Sequence, residues 1–427
     1  MNSRKMHLNF HGNWAGEHSG AWKVASDRQA EFRLDYYTAL AQGAERGLFD
    51  GIFYAAGLAL HEGPGRPTTP GLDPVVLAAA LAARTRHIGL VVTMSTTFND
   101  PYNVARTIAS LDHVSGGRAA WNVVTTYDEM AALNFGMRQL PPKPERYARA
   151  DEFVDVVVDL WKTWGTGSMV PDRDGARAEP SAIRPIDHRG RFFDVRGPLQ
   201  LPPTRQGRPV LFQAGASEEG KTFAARIADG IFCVSLDLEG ARRFYAEMKG
   251  RIADAGRDPK NVKILPGVYL YIGSTEAEAQ RNLEENCTSD DALLQLAVRL
   301  STDVANLSPD ETVADEILDR ALVLARSHGH STAMVELFRK ERLTVREFLR
   351  RQPLRGPHRV LVGTPEQVAQ SLSDWFLGGA ADGFNIGNLT LDGLNIFVDH
   401  VVPDLQARGL YRRAYDGKTL RANLMSD

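Results

Sequence analysis

The residues with the clearest chemical potential lie in the segment 209–228, whose pattern predicts an apolar strand, a Gly-Ala-Ser turn and a helix. Gly215, Ala216 and Ser217 lead into the first turn of that helix, where backbone N–H groups lack carbonyl partners and the helix dipole is positive. Amides in this setting bind phosphate. We therefore predict a phosphate site at residues 213–220, called the cradle below, with Ala216 and Ser217 as binding residues.

The residues alone leave three interpretations of the cradle open. Residues 215–222 satisfy the nucleotide-binding pattern G-x-x-x-x-G-K-T, in which Lys221 would reach the outer phosphates and Thr222 would bind magnesium. Against this, the two glutamates that follow Ser217 would put carboxylates beside a polyanion. The second interpretation is a flavin phosphate held by the Ser217 hydroxyl and the nearby amides. The third is an ordinary turn in which Ser217 only caps its own helix.

Small polar side chains also stand near the ends of two other apolar runs. Thr93 and Ser95 close one run, and Asn122 lies in the next. Hydroxyl and amide groups hydrogen-bond the heteroatoms of a planar ring without adding charge. These three residues are therefore predicted to bind a ring, although threonines here also suit helix caps and β-strands.

A histidine at this same end is a candidate acid or base. His18 follows the first predicted strand in a Gly-rich loop, and the pKa of imidazole lies near neutrality, although a lone loop histidine is often simply exposed. The sequence shows no Ser-His-Asp order, no carboxylate pair and no metal-binding His-x-x-x-His, and Cys233 and Cys287 lack metal-ligand spacing. We therefore predict no metal and a reactivity that comes from a bound cofactor.

Eight apolar runs of strand length, alternating with stretches of helical period, must position these residues. Such strands are typical of a parallel sheet buried on both faces, and eight units predict an α/β fold of the (β/α)₈ TIM-barrel type. A doubly wound open sheet is the alternative. The predicted strands are His7 to Phe10, Gly51 to Ala56, Ile88 to Ser95, Ala119 to Thr126, Val210 to Ala214, Ile231 to Leu236, Ile264 to Ile272 and Gly383 to Gly387.

The chain is longer than the roughly 250 residues of a plain barrel. Residues 165–208, rich in Gly, Pro, Asp and Arg, and residues 275–357, charged and helical in period, are the surplus. We predict one domain, 1–427, with insertions after strands 4 and 7. Because loops after barrel strands line the carboxyl-end mouth, both insertions are expected to cover a substrate pocket.

Charge and hydropathy narrow the possible partners. Lys plus Arg number 50 and Asp plus Glu 53, a net charge of −3, so nothing favours nucleic-acid binding. No signal-peptide pattern and no uncharged apolar run of about 18 residues occurs. We predict a cytoplasmic protein that does not associate with membranes.

Several longer motifs resemble a known family over nearly the whole chain. They are Leu48-Phe49-Asp50-Gly51, Ser95-Thr96-Thr97-Phe98, Gly117-Arg118-Ala119-Ala120-Trp121-Asn122-Val123-Val124-Thr125, Asn134-Phe135-Gly136, Arg146-Tyr147-Ala148-Arg149-Ala150-Asp151-Glu152-Phe153, Phe193-Asp194-Val195-Arg196-Gly197-Pro198-Leu199, Gln213-Ala214-Gly215-Ala216-Ser217 and Val401-Val402-Pro403-Asp404-Leu405-Gln406-Ala407-Arg408-Gly409-Leu410. With them the chain resembles the bacterial luciferase-like flavin monooxygenases. The group in question is typified by nitrilotriacetate monooxygenase component A, dibenzothiophene-sulfone monooxygenase and pristinamycin synthase.

The resemblance implies a two-component monooxygenase. Reduced FMN (FMNH₂) would come from a separate NAD(P)H-dependent flavin reductase and, with O₂ as co-substrate, form a flavin hydroperoxide that oxygenates a small organic substrate. A homodimer or homotetramer is expected. By position, Thr93 or Ser95 and Asn122 would touch the isoalloxazine, while Tyr147 and Ser217 would hold the phosphate end.

Two positions depart from the family pattern. Ala56 stands where relatives have an aspartate beside the flavin, and Lys143 stands where they have a histidine four residues before Tyr147. Both are expected at the cofactor, and Lys143, with His18, is a candidate catalytic residue. The alternatives are a P-loop NTPase, from the cradle match, and a barrel that binds flavin without turnover, motivated by Ala56 and Lys143.

Overall fold

The fold is a closed barrel of eight parallel strands, as the sequence predicts. The computed structural model describes residues 4–12, 32–55, 57–60, 71–165, 167–172, 175–215, 217–287, 290–324, 328–351 and 358–425. The barrel strands are β1 (His7–His11), β2 (Gly51–Tyr54), β3 (Gly89–Ser95), β4 (Ala119–Val124), β9 (Val210–Gln213), β10 (Gly230–Cys233), β11 (Lys263–Ile272) and β13 (Gly383–Gly387).

Each barrel strand lies parallel to the next one along the chain, and β13 pairs with β1 to close the ring, with His7 opposite Gly383. An open doubly wound sheet is excluded by this closure. Because all strands run the same way, their carboxyl ends meet at one face, called the mouth below, and their amino ends at the other, called the base.

Helices cover the outside of the barrel, and local sequence explains where several begin. Asp73 and Asp100 each accept hydrogen bonds from the amides of the following turn, ahead of a proline in the first helical turn, and Thr364 forms a full capping box with Gln367. The helices are α1 (Leu34–Arg46), α2 (Pro74–Ala82), α3 (Pro101–Ser115), α4 (Glu129–Asn134), α5 (Lys143–Trp161), α6 (Glu218–Ile227), α7 (Leu238–Asp254), α8 (Glu276–Cys287), α9 (Asp290–Arg299), α10 (Asp315–Val323), α11 (His328–Glu341), α12 (Val345–Arg351), α13 (Pro365–Leu377), α14 (Leu391–Ile396), α15 (Val402–Ala407) and α16 (Leu420–Met425). No helix in the described part of the chain is long and apolar enough to cross a bilayer.

The segment after β11 forms a helical unit with its own core. Helices α8 to α12 occupy it, and an apolar cluster that includes Leu296, Phe338 and Phe348 holds α9 to α12 together. After this unit the chain adds a strand that the sequence analysis did not predict, β12 (Arg359–Gly363). It pairs with the carboxyl half of β11, where Val268 lies opposite Arg359.

The segment after α5 contains two short hairpins, β5 (Met169–Asp172) with β6 (Gly175–Ala178) and β7 (His188–Arg189) with β8 (Asp194–Val195). Its later part runs along the outside of the barrel towards the base. The Phe193 amide donates to Glu152 on α5 (2.9 Å), and Gln206 Nε2 donates to the Ala119 carbonyl at the start of β4 (2.8 Å). These contacts do not support the expected cover over the mouth for residues 188–206.

A repeated Asp-Gly pair fixes the base. Asp50, Asp229 and Asp382 each precede the glycine that starts a strand, and each carboxylate accepts a hydrogen bond from a main-chain amide of the neighbouring strand. From oxygen to nitrogen, the distances are 3.0 Å for Asp50–Leu8, 2.9 Å for Asp229–Leu211 and 2.9 Å for Asp382–Ile264. These three residues, called the aspartate rim below, lock adjacent strands in register at the base.

Arginine side chains, one buried and two half-buried, compensate the charge of two of these aspartates. Arg412 Nη2 lies 2.6 Å from Asp50 Oδ1, and Arg208 and Arg421 lie 2.9 and 3.0 Å from Asp229 Oδ2. Burial alone would raise the pKa of both carboxyls, but these guanidiniums bring the pKa of Asp50 and of Asp229 below the usual value. Both side chains are therefore ionised in the folded protein.

Candidate functional site

The cradle is built by two glycines that bring the β9 turn against the first turn of α6. A methyl carbon on Gly215 would lie 2.8 Å from the Gly220 Cα, and one on Gly220 would lie 3.0 Å from both the Gly215 Cα and the Tyr147 Oη. Neither position has room for a side chain. The backbone of the turn, the start of α6 and the Tyr147 hydroxyl therefore converge on one small region.

Ser217 is the N-cap of α6. Its Oγ accepts a hydrogen bond from the Gly220 amide (3.2 Å). Ser217 therefore caps its helix, and its hydroxyl also hydrogen-bonds the Glu219 carboxylate, which helps to lower the pKa of that group. Whether capping is its only role is not decided by these contacts. The role of Ser217 in phosphate binding stays a prediction.

Lys143 and Tyr147 lie one turn apart at the start of α5 and both reach the start of α6. Lys143 Nζ forms an ion pair with Glu219 Oε2 (2.9 Å), and the Tyr147 ring packs edge-on against Phe223 with centroids 5.9 Å apart. The hydrogen bond from Lys143 is the main cause that lowers the pKa of Glu219. An anion bound here would share the lysine with this carboxylate.

The nucleotide-binding interpretation of the cradle finds no support. Lys221 Nζ lies 3.1 Å from Glu218 Oε1 and 3.0 Å from Glu247 Oε2, and the Thr222 hydroxyl donates to the Glu218 carbonyl (3.0 Å). The two groups that would bind phosphate and magnesium are thus engaged by Glu218 of α6 and Glu247 of α7. The described residues also bring together no group of three or more His, Cys, Asp or Glu side chains that could hold a metal.

Thr93 and Asn122 form a polar wall inside the barrel. Thr93 Oγ1 donates to the Tyr54 carbonyl (2.9 Å) and accepts from Asn122 Nδ2 (3.0 Å). Asn122 Oδ1 is buried and has no hydrogen-bond partner in the described structure. A buried acceptor without a partner costs free energy unless a ligand or water satisfies it, so Asn122 is the best placed of the predicted ring-binding residues.

Ser95 has a different environment from Thr93. Its Oγ accepts from the Thr97 amide (3.1 Å) and lies 2.6 Å from the Thr126 hydroxyl. These bonds organise the loops that follow β3 and β4. Of the two alternatives for ring contact, Thr93 is linked directly to Asn122 and Ser95 shapes the neighbouring loops.

An aromatic wall begins on β2, the strand next to the one that carries Thr93. It comprises His11, Phe53, Phe232, His358 and Tyr269, whose successive ring centroids are 5.9 Å (His11–Phe53), 5.8 Å (Phe53–Phe232), 5.1 Å (Phe232–His358) and 5.0 Å (His358–Tyr269) apart. Between His11 and Tyr269 lies Gly387, where a methyl carbon would be 2.8 Å from the Tyr269 ring. A flat, partly apolar ligand suits a space bounded by this wall and the polar wall.

His358 enters the barrel from outside it. The residue immediately precedes β12, yet its imidazole occupies the space that a side chain on Gly267 of β11 would need, since a methyl carbon there would lie 2.4 Å from His358 Nδ1. The ring stacks on Phe232 with 12° between planes. The missing side chain of Gly267 therefore creates a niche for an imidazole inside the barrel.

The structure thus brings Lys143, Tyr147 and Ser217 to the cradle, and Thr93 and Asn122 to one wall. His18, Ala56 and Ala216 lie outside the described residues. The sequence analysis did not assign a role to His358 or Tyr269. The available signal was the apolar run 360–362 followed by the cap at Thr364, which indicates another strand near the mouth.

Comparison with known proteins gives consistent matches along the chain. A family model described as luciferase-like monooxygenase matches residues 7–382. Nitrilotriacetate monooxygenase component A of Aminobacter aminovorans is 39% identical over 440 residues, covering 99% of this chain and 96% of that protein. Dibenzothiophene-sulfone monooxygenase of Rhodococcus erythropolis (strain XP) is 38% identical over 448 residues, with 99% and 96% covered. The solved structure of EDTA monooxygenase from Chelativorans sp. BNC1 matches with a TM-score of 0.81 and 36% identity, covering 99% of this chain and 98% of that one.

Proposed function

The chain belongs to the luciferase-like monooxygenase family, and we propose that it uses reduced FMN and molecular oxygen to oxygenate a small organic substrate. Flavin use and oxidoreductase activity follow from the family. The reduced mononucleotide, the oxygen and the substrate are the parts that we propose. The observation that carries the proposal is the cradle, where two glycines and Tyr147 enclose a helix start with no room for a side chain.

The described residues fit a flavin mononucleotide in three respects. The cradle offers main-chain amides and the Tyr147 hydroxyl to a phosphate. Lys143, which pairs with Glu219 at the start of α6, places a positive charge near the same region. Asn122 Oδ1 is a buried acceptor without a partner in the described structure, and it could accept a hydrogen bond from an N–H group of the flavin ring. β9, which leads into the cradle, pairs directly with β4, which carries Asn122, so one elongated ligand could reach both.

Each residue then has a distinct task. Thr93 fixes the Asn122 amide so that Oδ1 stays available as an acceptor. The aromatic wall keeps water from the reacting region, which matters because water competes for polar groups and admits side reactions. When bound in its reduced form, the flavin supplies the electrons that activate oxygen, of which one atom enters the substrate and the other leaves as water.

We also propose a partner that supplies the reduced flavin. The nitrilotriacetate relative is named as a component A, which indicates a second component in that system. For this chain the corresponding partner would be a separate NAD(P)H-dependent flavin reductase. Assembly as a homodimer or homotetramer stays a prediction.

Anaerobic titration of the full chain with reduced FMN tests the proposal. We expect tight binding that Ser217→Asp weakens strongly, since aspartate still caps the helix but sets a carboxylate against the phosphate. Thr419→Asp is the matched control. Thr419 caps α16 at the base, where its Oγ1 accepts from the Ala422 amide (3.2 Å), so the same new charge lies far from the cradle.

A second measurement follows the loaded protein after mixing with oxygen. We expect the absorbance of oxidised flavin to return along a different time course from that of free reduced FMN. Binding without any such difference would favour a barrel that holds flavin without turnover. Failure of the wild type to bind reduced FMN would overturn the proposal.

A further inference from the structure

Asn9 and Asn385 lie side by side in the interior of the barrel. Each stands in the middle of its strand, β1 and β13 respectively, and the two residues are paired in register. Leu8 and Phe10 pack in the apolar core shared with the outer helices. Because side chains alternate along a strand, Asn9 faces the opposite way, into the barrel. Both asparagines are buried, with 0% and 3% of their surface exposed.

Three polar atoms of this pair have no hydrogen-bond partner among the described residues. They are Nδ2 and Oδ1 of Asn9 and Oδ1 of Asn385. Asn385 Nδ2 donates to the Leu265 carbonyl (2.9 Å), and this bond fixes the orientation of that amide. Buried amide groups in folded proteins nearly always have partners, since leaving them unpaired is unfavourable. One donor and two acceptors therefore require a further hydrogen-bonding group at this place.

Gly51 leaves the space beside Asn9 without a side chain. It is the residue of β2 that pairs with Asn9 in register. A methyl carbon on Gly51 would lie 3.2 Å from both Asn9 Oδ1 and Val91 Cγ2, and 3.4 Å from the Gly89 carbonyl oxygen. Two of these three neighbours are oxygens that accept hydrogen bonds. The space in front of Gly51 therefore suits a small hydrogen-bond donor better than an apolar group.

The pattern of donors and acceptors identifies this group as a water molecule. The occupant must accept from Asn9 Nδ2 and donate to the two asparagine oxygens, and a buried water commonly makes about three hydrogen bonds to groups of this kind. Two neutral amides supply no charge that would compensate an ion. A larger polar molecule would meet the apolar side chains of the barrel interior, which include Phe53, Val91, Phe212 and Leu265.

We propose that Asn9 and Asn385 bind one ordered water inside the barrel, in front of Gly51. The site goes beyond the proposed reaction, because it does not require flavin. His11 follows Asn9 by two positions on the same face of β1, so the water lies one residue layer below the aromatic wall. The floor under that wall is thus polar at one fixed point.

The test is a crystal structure of the full chain without flavin, at a resolution that shows ordered solvent. We expect one solvent peak within about 2.7–3.2 Å of the Asn9 amide and of Asn385 Oδ1. Asn9→Leu should lose this peak, because leucine keeps the branched shape but offers no donor or acceptor. The matched control is Asn261→Leu, which changes an exposed asparagine just before β11 and should keep the peak.

Urea unfolding of the same proteins gives a second measurement. We expect the urea midpoint of Asn9→Leu to fall below that of the wild type, because Asn385 Oδ1 then stays buried without a partner. Removing a dry, unpaired amide would raise the midpoint instead. A raised midpoint, a peak that persists in Asn9→Leu, or wild-type asparagines bonded directly with no solvent between them would overturn the inference. If Asn9→Leu does not fold, the density of the wild type decides alone.

Discussion

Gly220→Ala tests the cradle with a single added carbon. In a helix, alanine is favoured over glycine by about 1 kcal/mol, so a change that weakens ligand binding here cannot be blamed on helix propensity. The new methyl carbon would lie 3.0 Å from the Gly215 Cα and 3.0 Å from the Tyr147 Oη, closer than the ~3.5 Å of an optimal carbon contact. The turn or the tyrosine must therefore move by a few tenths of an ångström.

The expected cost is the loss of one hydrogen bond to a charged phosphate, about 1.5–3 kcal/mol. That corresponds to roughly 10- to 100-fold weaker binding of reduced FMN. The assay is an anaerobic titration followed by fluorescence, with thermal unfolding measured on the same samples. We expect the unfolding temperature of the free variant to stay close to that of the wild type, because the propensity gain offsets the contact.

Gly250→Ala provides the control. Gly250 lies in α7, is exposed, and a methyl carbon there meets no atom within 4 Å. This variant should gain about 0.5–1 kcal/mol of stability and bind reduced FMN unchanged. Equal FMN affinity in Gly220→Ala and Gly250→Ala would refute the assignment of the cradle as the phosphate site.

Two further predictions concern the aspartate rim. Asp229→Asn should lower the free energy of unfolding, measured in urea, by about 2–4 kcal/mol, because it leaves Arg208 and Arg421 without a counter-charge. The loss should be smaller than for a fully buried ion pair, since both arginines are partly exposed. Flavin binding at the mouth should be unchanged. Acid should also weaken the fold. Because the folded pKa values of Asp50 and Asp229 lie below the unfolded value of about 3.9, their contribution is complete above that pH and lost as pH falls through the folded values.

An Asp229→Asn protein as stable as the wild type would show that the rim ion pairs are replaceable. For the acid prediction, the measurement is the unfolding free energy as a function of pH below neutrality. An unfolding free energy that does not change with pH would contradict the lowered pKa values of the two aspartates. A steeper loss of unfolding free energy in the wild type than in Asp50→Asn would show that Asp50 is one of the residues responsible.

Features that depend on near neighbours in sequence were predictable. The caps at Asp73, Asp100 and Thr364 rest on contacts within four residues, and Gly116 ends α3 in the left-handed conformation with φ of 71°. The eight strands were predictable because parallel buried strands are continuous apolar runs. The strand, turn and helix cap that form the cradle were predictable for a similar reason, because they follow one another directly in the sequence.

Features that join distant segments were not predictable from one sequence. Arg412 compensates Asp50 across 362 positions, and no local pattern connects them. The niche for His358 exists because Gly267, 91 positions earlier, lacks a side chain. The composition of residues 165–208 also could not show where on the barrel this segment lies. A Gly- and Pro-rich segment is equally compatible with the mouth and with the outer surface.

The ninth strand has a mechanical consequence. β11 leads into the helical unit and β12 leads out of it, and the two are hydrogen-bonded side by side, from Val268 opposite Arg359 to Ile272 opposite Gly363. The unit is thus clamped at both of its ends to the same ladder. Because the two attachments lie side by side, any rigid movement of the unit against the barrel must turn about this one pair of strands, while the clamp, and the imidazole held beside it, stay in place.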